Sequence, residues 1–110
     1  MRYYLEEKSH KLREKVEKEV LGWPKVSTKK MFGCPCYKRD GKLFAFLVTE
    51  GIVITHISDE DKEKLFKLFQ IGPFHAGKRI VYSWLRIPII NINDIDKIMP
   101  FVRKSYKCVL

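Results

Sequence analysis

The residues best equipped for chemistry in this 110-residue chain are three cysteines, three histidines and a surplus of cations. Cys34 and Cys36 form a Cys-x-Cys pair around Pro35, and Cys108 stands far from both. A structural zinc site takes Cys and His ligands, commonly with paired cysteines about two to four residues apart. A thioredoxin-like redox motif needs Cys-x-x-Cys at a helix start. The pair fits neither, so the expectation is free, packed thiols with no metal and no cofactor. An odd cysteine count cannot close into a complete set of internal bridges, which agrees with a reducing, cytoplasmic setting.

Of the histidines, His10 lies in a charged helical stretch, His56 on a strand and His75 in a loop. None is paired by its context with a carboxylate or nucleophile in the way a triad requires. Ser27 and Ser58 suit turn or cap roles, and Ser83 lies in an aromatic strand. No catalytic residue is assigned, and a non-enzymatic role is expected.

The cations carry more. Twenty-two Lys and Arg oppose 13 Asp and Glu, a net charge of +9. Such an excess draws anions, nucleic acid first among them. Lys29, Lys30, Lys38, Arg39 and Lys42 cluster around a first strand and a hairpin tip. Lys78, Arg79 and Arg86 lie in the acid-free stretch 71–90. Tyr37, Phe74, Tyr82 and Trp84 are interleaved with these groups. Basic side chains can track phosphates while aromatic faces stack on bases. The competing reading is a solvated surface with its aromatics in the core, because no helix-turn-helix or zinc-finger motif is present. These eight cations are the candidate nucleic-acid contacts.

The elements that must position them can be read from periodicity. Residues 3–21 predict an amphipathic helix with Leu5, Leu12, Val16 and Val20 on one stripe, Ser9 the only polar residue among them. A short strand over 25–31 follows, interrupted by Gly33 and Pro35. Cys36–Arg39 and Lys42–Thr49 then flank Asp40-Gly41, a preferred type I′ pair. Glu50-Gly51 predicts a second tight turn into Ile52–Ile57. With two-residue loops at both places, Arg39 faces Lys42, Tyr37 faces Phe44, Cys36 faces Ala45, Val48 faces Val53 and Ala45 faces His56. Phe44, Phe46 and Val53 then share one face with Tyr37, while Ala45, Leu47, Ile52 and Ile54 share the other.

Both faces of that sheet are apolar, so each needs a cover. Helices serve one; for the other the expectation is a second copy of the chain, a homodimer contact. The alternative is a small-ligand pocket or an uncharacterised active site on that face, with His56 or Tyr82 converging on it.

Ser58 predicts a helix cap over Asp59–Phe69, with Leu65, Leu68 and Phe69 inward. Gly72-Pro73 ends that helix, 74–79 read as a basic loop, and Ile80–Ile87 as a strand. Asn91 or Asn93 caps a last helix, whose apolar positions run from Ile95 to Val109 across Pro100. The fold class expected is α+β: one domain over 1–110, two-layered, with an antiparallel sheet of about five strands flanked by N-terminal, middle and C-terminal helices. No apolar run approaches the roughly 20 residues of a membrane span, and no secretory pattern opens the chain.

At this point a family comes into view. Met31-Phe32-Gly33, Tyr37, Asp40-Gly41, Lys42-Leu43-Phe44-Ala45 and Ser58-Asp59-Glu60-Asp61 resemble the N-terminal domain of the TfoX/Sxy competence-regulator family. Pro73-Phe74, Gly77-Lys78-Arg79, Tyr82-Ser83-Trp84, Ile87-Pro88 and the closing Phe101 to Tyr106 resemble its second half. The resemblance implies an antiparallel sheet flanked by helices and a regulatory or interaction module binding a protein partner or nucleic acid. It carries no catalytic residues, and the helical second domain of the longer regulators has no counterpart in these residues.

Overall fold

The computed structural model describes residues 3–109; Met1, Arg2 and Leu110 lie outside that range. Its elements run α1 (Glu6–Val20), β1 (Val26–Met31), β2 (Cys34–Arg39), β3 (Lys42–Val48), β4 (Gly51–Ile54), α2 (Asp59–Phe66), β5 (Gly72–Ala76), β6 (Arg79–Pro88) and α3 (Ile95–Cys108), the last preceded by a short 3-10 turn. The strands form one antiparallel sheet in the order β1-β2-β3-β4-β6-β5. The α+β class holds, with six strands in place of about five. The additional strand is β5, built from residues expected to be loop.

Helix α1 buries the stripe its periodicity announces: Ser9, Leu12, Val16 and Val20. Ser9 belongs there because its hydroxyl accepts the Glu50 backbone N–H at 2.8 Å, joining α1 to the β3–β4 turn. Residues 3–5 precede the helix rather than belonging to it, and the Tyr3 carbonyl accepts from the Thr49 N–H at 2.9 Å. At α2 the Ser58 cap is present, accepting from the Asp61 N–H. That helix stops at Phe66, so Leu68 falls outside and is 64% exposed, contrary to its expected inward position. Asn91 caps the short 3-10 turn, and neither it nor Asn93 caps α3, whose N-cap position is Asp94 because the turn is interposed; Pro100 sits within a single helix.

Two turns match a two-residue I′ loop by their positive φ. Asp40 and Gly41 are at +50° and +78°, and Arg39 faces Lys42 as expected. Phe32 and Gly33 are at +54° and +79°, so β2 starts at Cys34 and pairs directly with β1. Pro35 is tolerated because it pairs only with Lys30 of β1; β3 joins from Cys36 onward.

The remaining register differs from expectation. Tyr37 faces Ala45 and Lys38 faces Leu43, leaving Phe44 as an extra residue: a β-bulge in β3. Cys36 consequently faces Phe46. At the next turn the positive φ falls on Glu50, at +53°, one residue before Gly51. Val48 therefore faces Gly51, Phe46 faces Val53 and Ala45 faces Ile54. Gly51 is needed for a different reason, since a β-carbon there would lie 3.0 Å from the Ile87 carbonyl oxygen. Phe44 joins Tyr37, Ala45, Leu47, Ile52 and Ile54 under the helices, while Val53 lies in a second cluster with Cys34, Cys36, Phe46, Val48 and Phe74. Phe44 and Val53 thus belong to different clusters, which overturns the expected pairing.

Both sheet faces remain apolar, yet the second is closed by the chain itself. In β6 three residues, Tyr82, Ser83 and Trp84, are interposed between the partners of Pro73 and Phe74. Past this wide bulge the β5–β6 ribbon pairs with nothing but itself and turns over the second face. Phe74 meets Phe46 edge-on at 5.1 Å between centroids, Trp84 meets Phe46 at 5.4 Å, and Tyr3 meets Phe74 at 5.6 Å. Phe46 and Val53 are fully buried without a second copy of the chain.

Candidate functional site: a basic end with exposed rings

The folded-over ribbon has a consequence for the cations. A β-carbon on Gly77, in the β5–β6 turn, would lie 4.0 Å from the Tyr3 hydroxyl. The Tyr3 ring in turn lies 5.8 Å from Phe32, in the β1–β2 turn. Two turns far apart in sequence, at opposite edges of the sheet, therefore meet across Tyr3. Lys29 and Lys30 lie in β1 just before one, Lys78 and Arg79 at the other, all four exposed. None of them takes part in an ion pair among the described residues. Phe32 is 66% exposed beside them, and Tyr82 in the bulge is 73% exposed.

The other expected contacts lie elsewhere. Arg39 donates from Nη1 to the Tyr106 carbonyl at 3.1 Å, and its guanidinium sits 4.3 Å over the Tyr106 ring, so it ties the hairpin to α3. Lys42 is across the same turn, facing Arg39. Lys38 faces Ser27 and Leu43, and Arg86 is exposed between Val53 and Gly72. The eight cations thus separate into four that flank the two turns meeting at Tyr3 and others held on different parts of the sheet.

A groove of about 810 Å³ runs between the start of α1 and β1, with Lys29 and Lys30 on its wall. Its other charged groups are largely engaged with one another. Tyr37, fully buried, donates to Glu17 at 2.8 Å; Arg13 bonds Glu17 at 3.0 Å and Glu6 at 2.7 Å; Tyr4 donates to Glu6 at 2.5 Å. The Arg13 guanidinium and the Tyr4 hydroxyl hold the Glu6 carboxyl down to about 2 from an ordinary 4.5. Burial, then the Glu17 carboxylate, pushes the Tyr37 phenol up. This chain of bonds fastens α1 to β2 and leaves the groove a mixed-charge wall.

Cys34 and Cys36 are buried in the second cluster with free thiols, and Cys36 donates to the Cys34 carbonyl. Burial raises both thiols, Cys34 to about 12. Cys36 does not flank Ala45 with His56, since it faces Phe46. His56 Nδ1 lies 2.9 Å from the Thr55 hydroxyl. Ser83, His56 and Cys108 border a depression of about 480 Å³, where the Asp61 carboxylate is held by Lys104 at 3.2 Å from both oxygens. Among the described residues no three His, Cys, Asp or Glu side chains are grouped to hold a metal, and no helix is long and apolar enough to cross a membrane.

Tyr3 is the residue that sequence reasoning missed, having been placed in a helix. Its signal was weak: two adjacent tyrosines before the helical stripe begins. Phe32 was noticed only as part of a Met-Phe-Gly triplet, because an aromatic residue is a poor candidate for a positive-φ turn position. Compared with known proteins, the chain matches no family model, no curated protein and no solved structure.

Proposed function

We propose that this chain is a non-enzymatic interaction module, of the TfoX N-terminal type suggested by its motifs, that binds nucleic acid through the basic end around Tyr3. One observation carries this reading. The β5–β6 turn, which carries unpaired Lys78 and Arg79, meets across Tyr3 the β1–β2 turn that follows unpaired Lys29 and Lys30, which nothing in their sequence separation requires. Four unpaired cations form a local positive field that a polyanion neutralises with release of counterions. A homodimer through the apolar face is less supported, since that face is already buried within one chain.

The test is a titration of labelled nucleic acid across a range of salt. Binding is expected at low ionic strength, falling steeply as salt rises, and lost when Lys29, Lys30, Lys78 and Arg79 are together changed to Glu. Lys38→Glu, on a different part of the sheet, is expected to change little. Absence of binding at low ionic strength, or equal losses from Lys38→Glu and the fourfold variant, overturns the proposal.

A further inference from the structure

We infer that the polymer held at this end is a single strand, with Phe32 and Tyr82 serving as the surfaces on which bases stack. The inference rests on the basic-end reading and adds the kind of nucleic acid to it. Its starting point is Phe32. A bulky side chain at φ +54° occupies a position that Asn, Asp or Gly fill with less strain. The ring bought with that strain is not buried; it is 66% exposed, beside Lys30 and against Tyr3. Tyr82 repeats the pattern by other means. A three-residue bulge that the ribbon needs for its fold-over also leaves the Tyr82 ring 73% exposed, three residues from Arg79.

Exposed rings beside unpaired cations suit unstacked bases, whose faces become available only when the strand is single. A duplex hides those faces and is read instead by an element that enters a groove, most often a helix. The helices here are poorly placed for that. On α1 the exposed Lys8, Lys11 and Lys18 are interspersed with Glu7, Glu14 and Glu19. On α3, Lys97 pairs with Asp94, Lys104 with Asp61, and the Arg103 guanidinium lies 4.9 Å over Trp23. Lys29, Lys30, Lys78 and Arg79 lie instead on strands and turns, within three residues of Phe32 or Tyr82 in β1, β6 and the turns beside them, or at the turn that meets Tyr3.

The experiment measures binding of labelled oligo-dT, the same strand annealed to oligo-dA, and heparin, to wild type, Tyr82→Ala and Phe32→Asn. Oligo-dT is expected to bind more tightly than the duplex, with a log–log salt slope near about −3 for four phosphate contacts. Each variant is expected to weaken oligo-dT by roughly five-fold or more while leaving heparin unchanged. Phe32→Asn is expected to keep or raise the melting temperature, since Asn tolerates the left-handed turn, so a loss of binding is not a loss of fold. Equal affinity for duplex and single strand, or variants that bind oligo-dT as wild type does, overturns this inference and leaves the basic-end reading standing. Failure of all three probes to bind at low salt overturns both.

Discussion

Buried thiols and a paired surface carboxylate give the sharpest tests at the level of single residues. Cys34 and Cys36 are 1% and 0% exposed, whereas Cys108 is exposed on the last turn of α3. Because the thiolate is the reactive form, burial that keeps Cys34 protonated also keeps it inert. One thiol is expected to react quickly with a disulfide reagent in the folded protein and two more only on unfolding; fast reaction of all three contradicts the second cluster. Glu6 yields a pH dependence. Its folded pKa is depressed to about 2 from 4.5, so its contribution is present above the unfolded value and disappears as pH falls from about 4.5 towards 2. Glu6→Gln should therefore lower the denaturation midpoint near neutrality and converge with wild type at the acid end of that window. A gap that stays constant across it would show that Glu6 acts through packing alone.

Among the elements, the Phe44 bulge and the β5–β6 ribbon are what the fold depends on. Beside the bulge, Ser105 of α3 donates to the Phe44 carbonyl at 2.7 Å, which also accepts from the Thr55 N–H at 3.3 Å, and the same serine, fully buried, accepts from the His56 N–H at 3.2 Å. Ser105→Ala leaves both without this partner and is expected to cost about 1–3 kcal/mol in denaturant unfolding. A neutral result would mean that the bulge is satisfied otherwise. Phe74 is the ribbon's anchor, 2% exposed against Phe46, Trp84 and Tyr3. Phe74→Ala is expected to destabilise by about 3–5 kcal/mol. It should also expose Phe46 and Val53, which increased binding of a hydrophobic dye would register.

For the molecule as a whole, closure of the second face decides how it behaves in solution. An apolar sheet face left open invites association; here its residues are buried within one chain. Light scattering is therefore expected to give the mass of one chain over a wide concentration range. Phe74→Ala, by lifting the cover, is the variant in which concentration-dependent association should appear. A wild-type dimer of undiminished stability would show that another surface, outside both clusters, mediates it.

Local information sufficed wherever the physics was local. The stripe of α1, the Ser58 cap, the Asp40-Gly41 turn and the apolarity of both sheet faces follow from residue types at short spacing, and each is present. So are the burial of Cys34 and Cys36 and the excess of cations, whereas Cys108 is exposed. What sequence alone left open depends on contacts between distant segments. The extra residue at Phe44 is stabilised by Ser105, sixty-one positions away. Strand β5 was mistaken for a loop because its partner, β6, lies beyond a bulge that breaks the period of two. The grouping of Lys29, Lys30, Lys78 and Arg79 exists only because the ribbon turns over a face that would otherwise stay in water. Hydrophobic burial drives that turn, and burial is a property of the assembled surface, not of any stretch of chain.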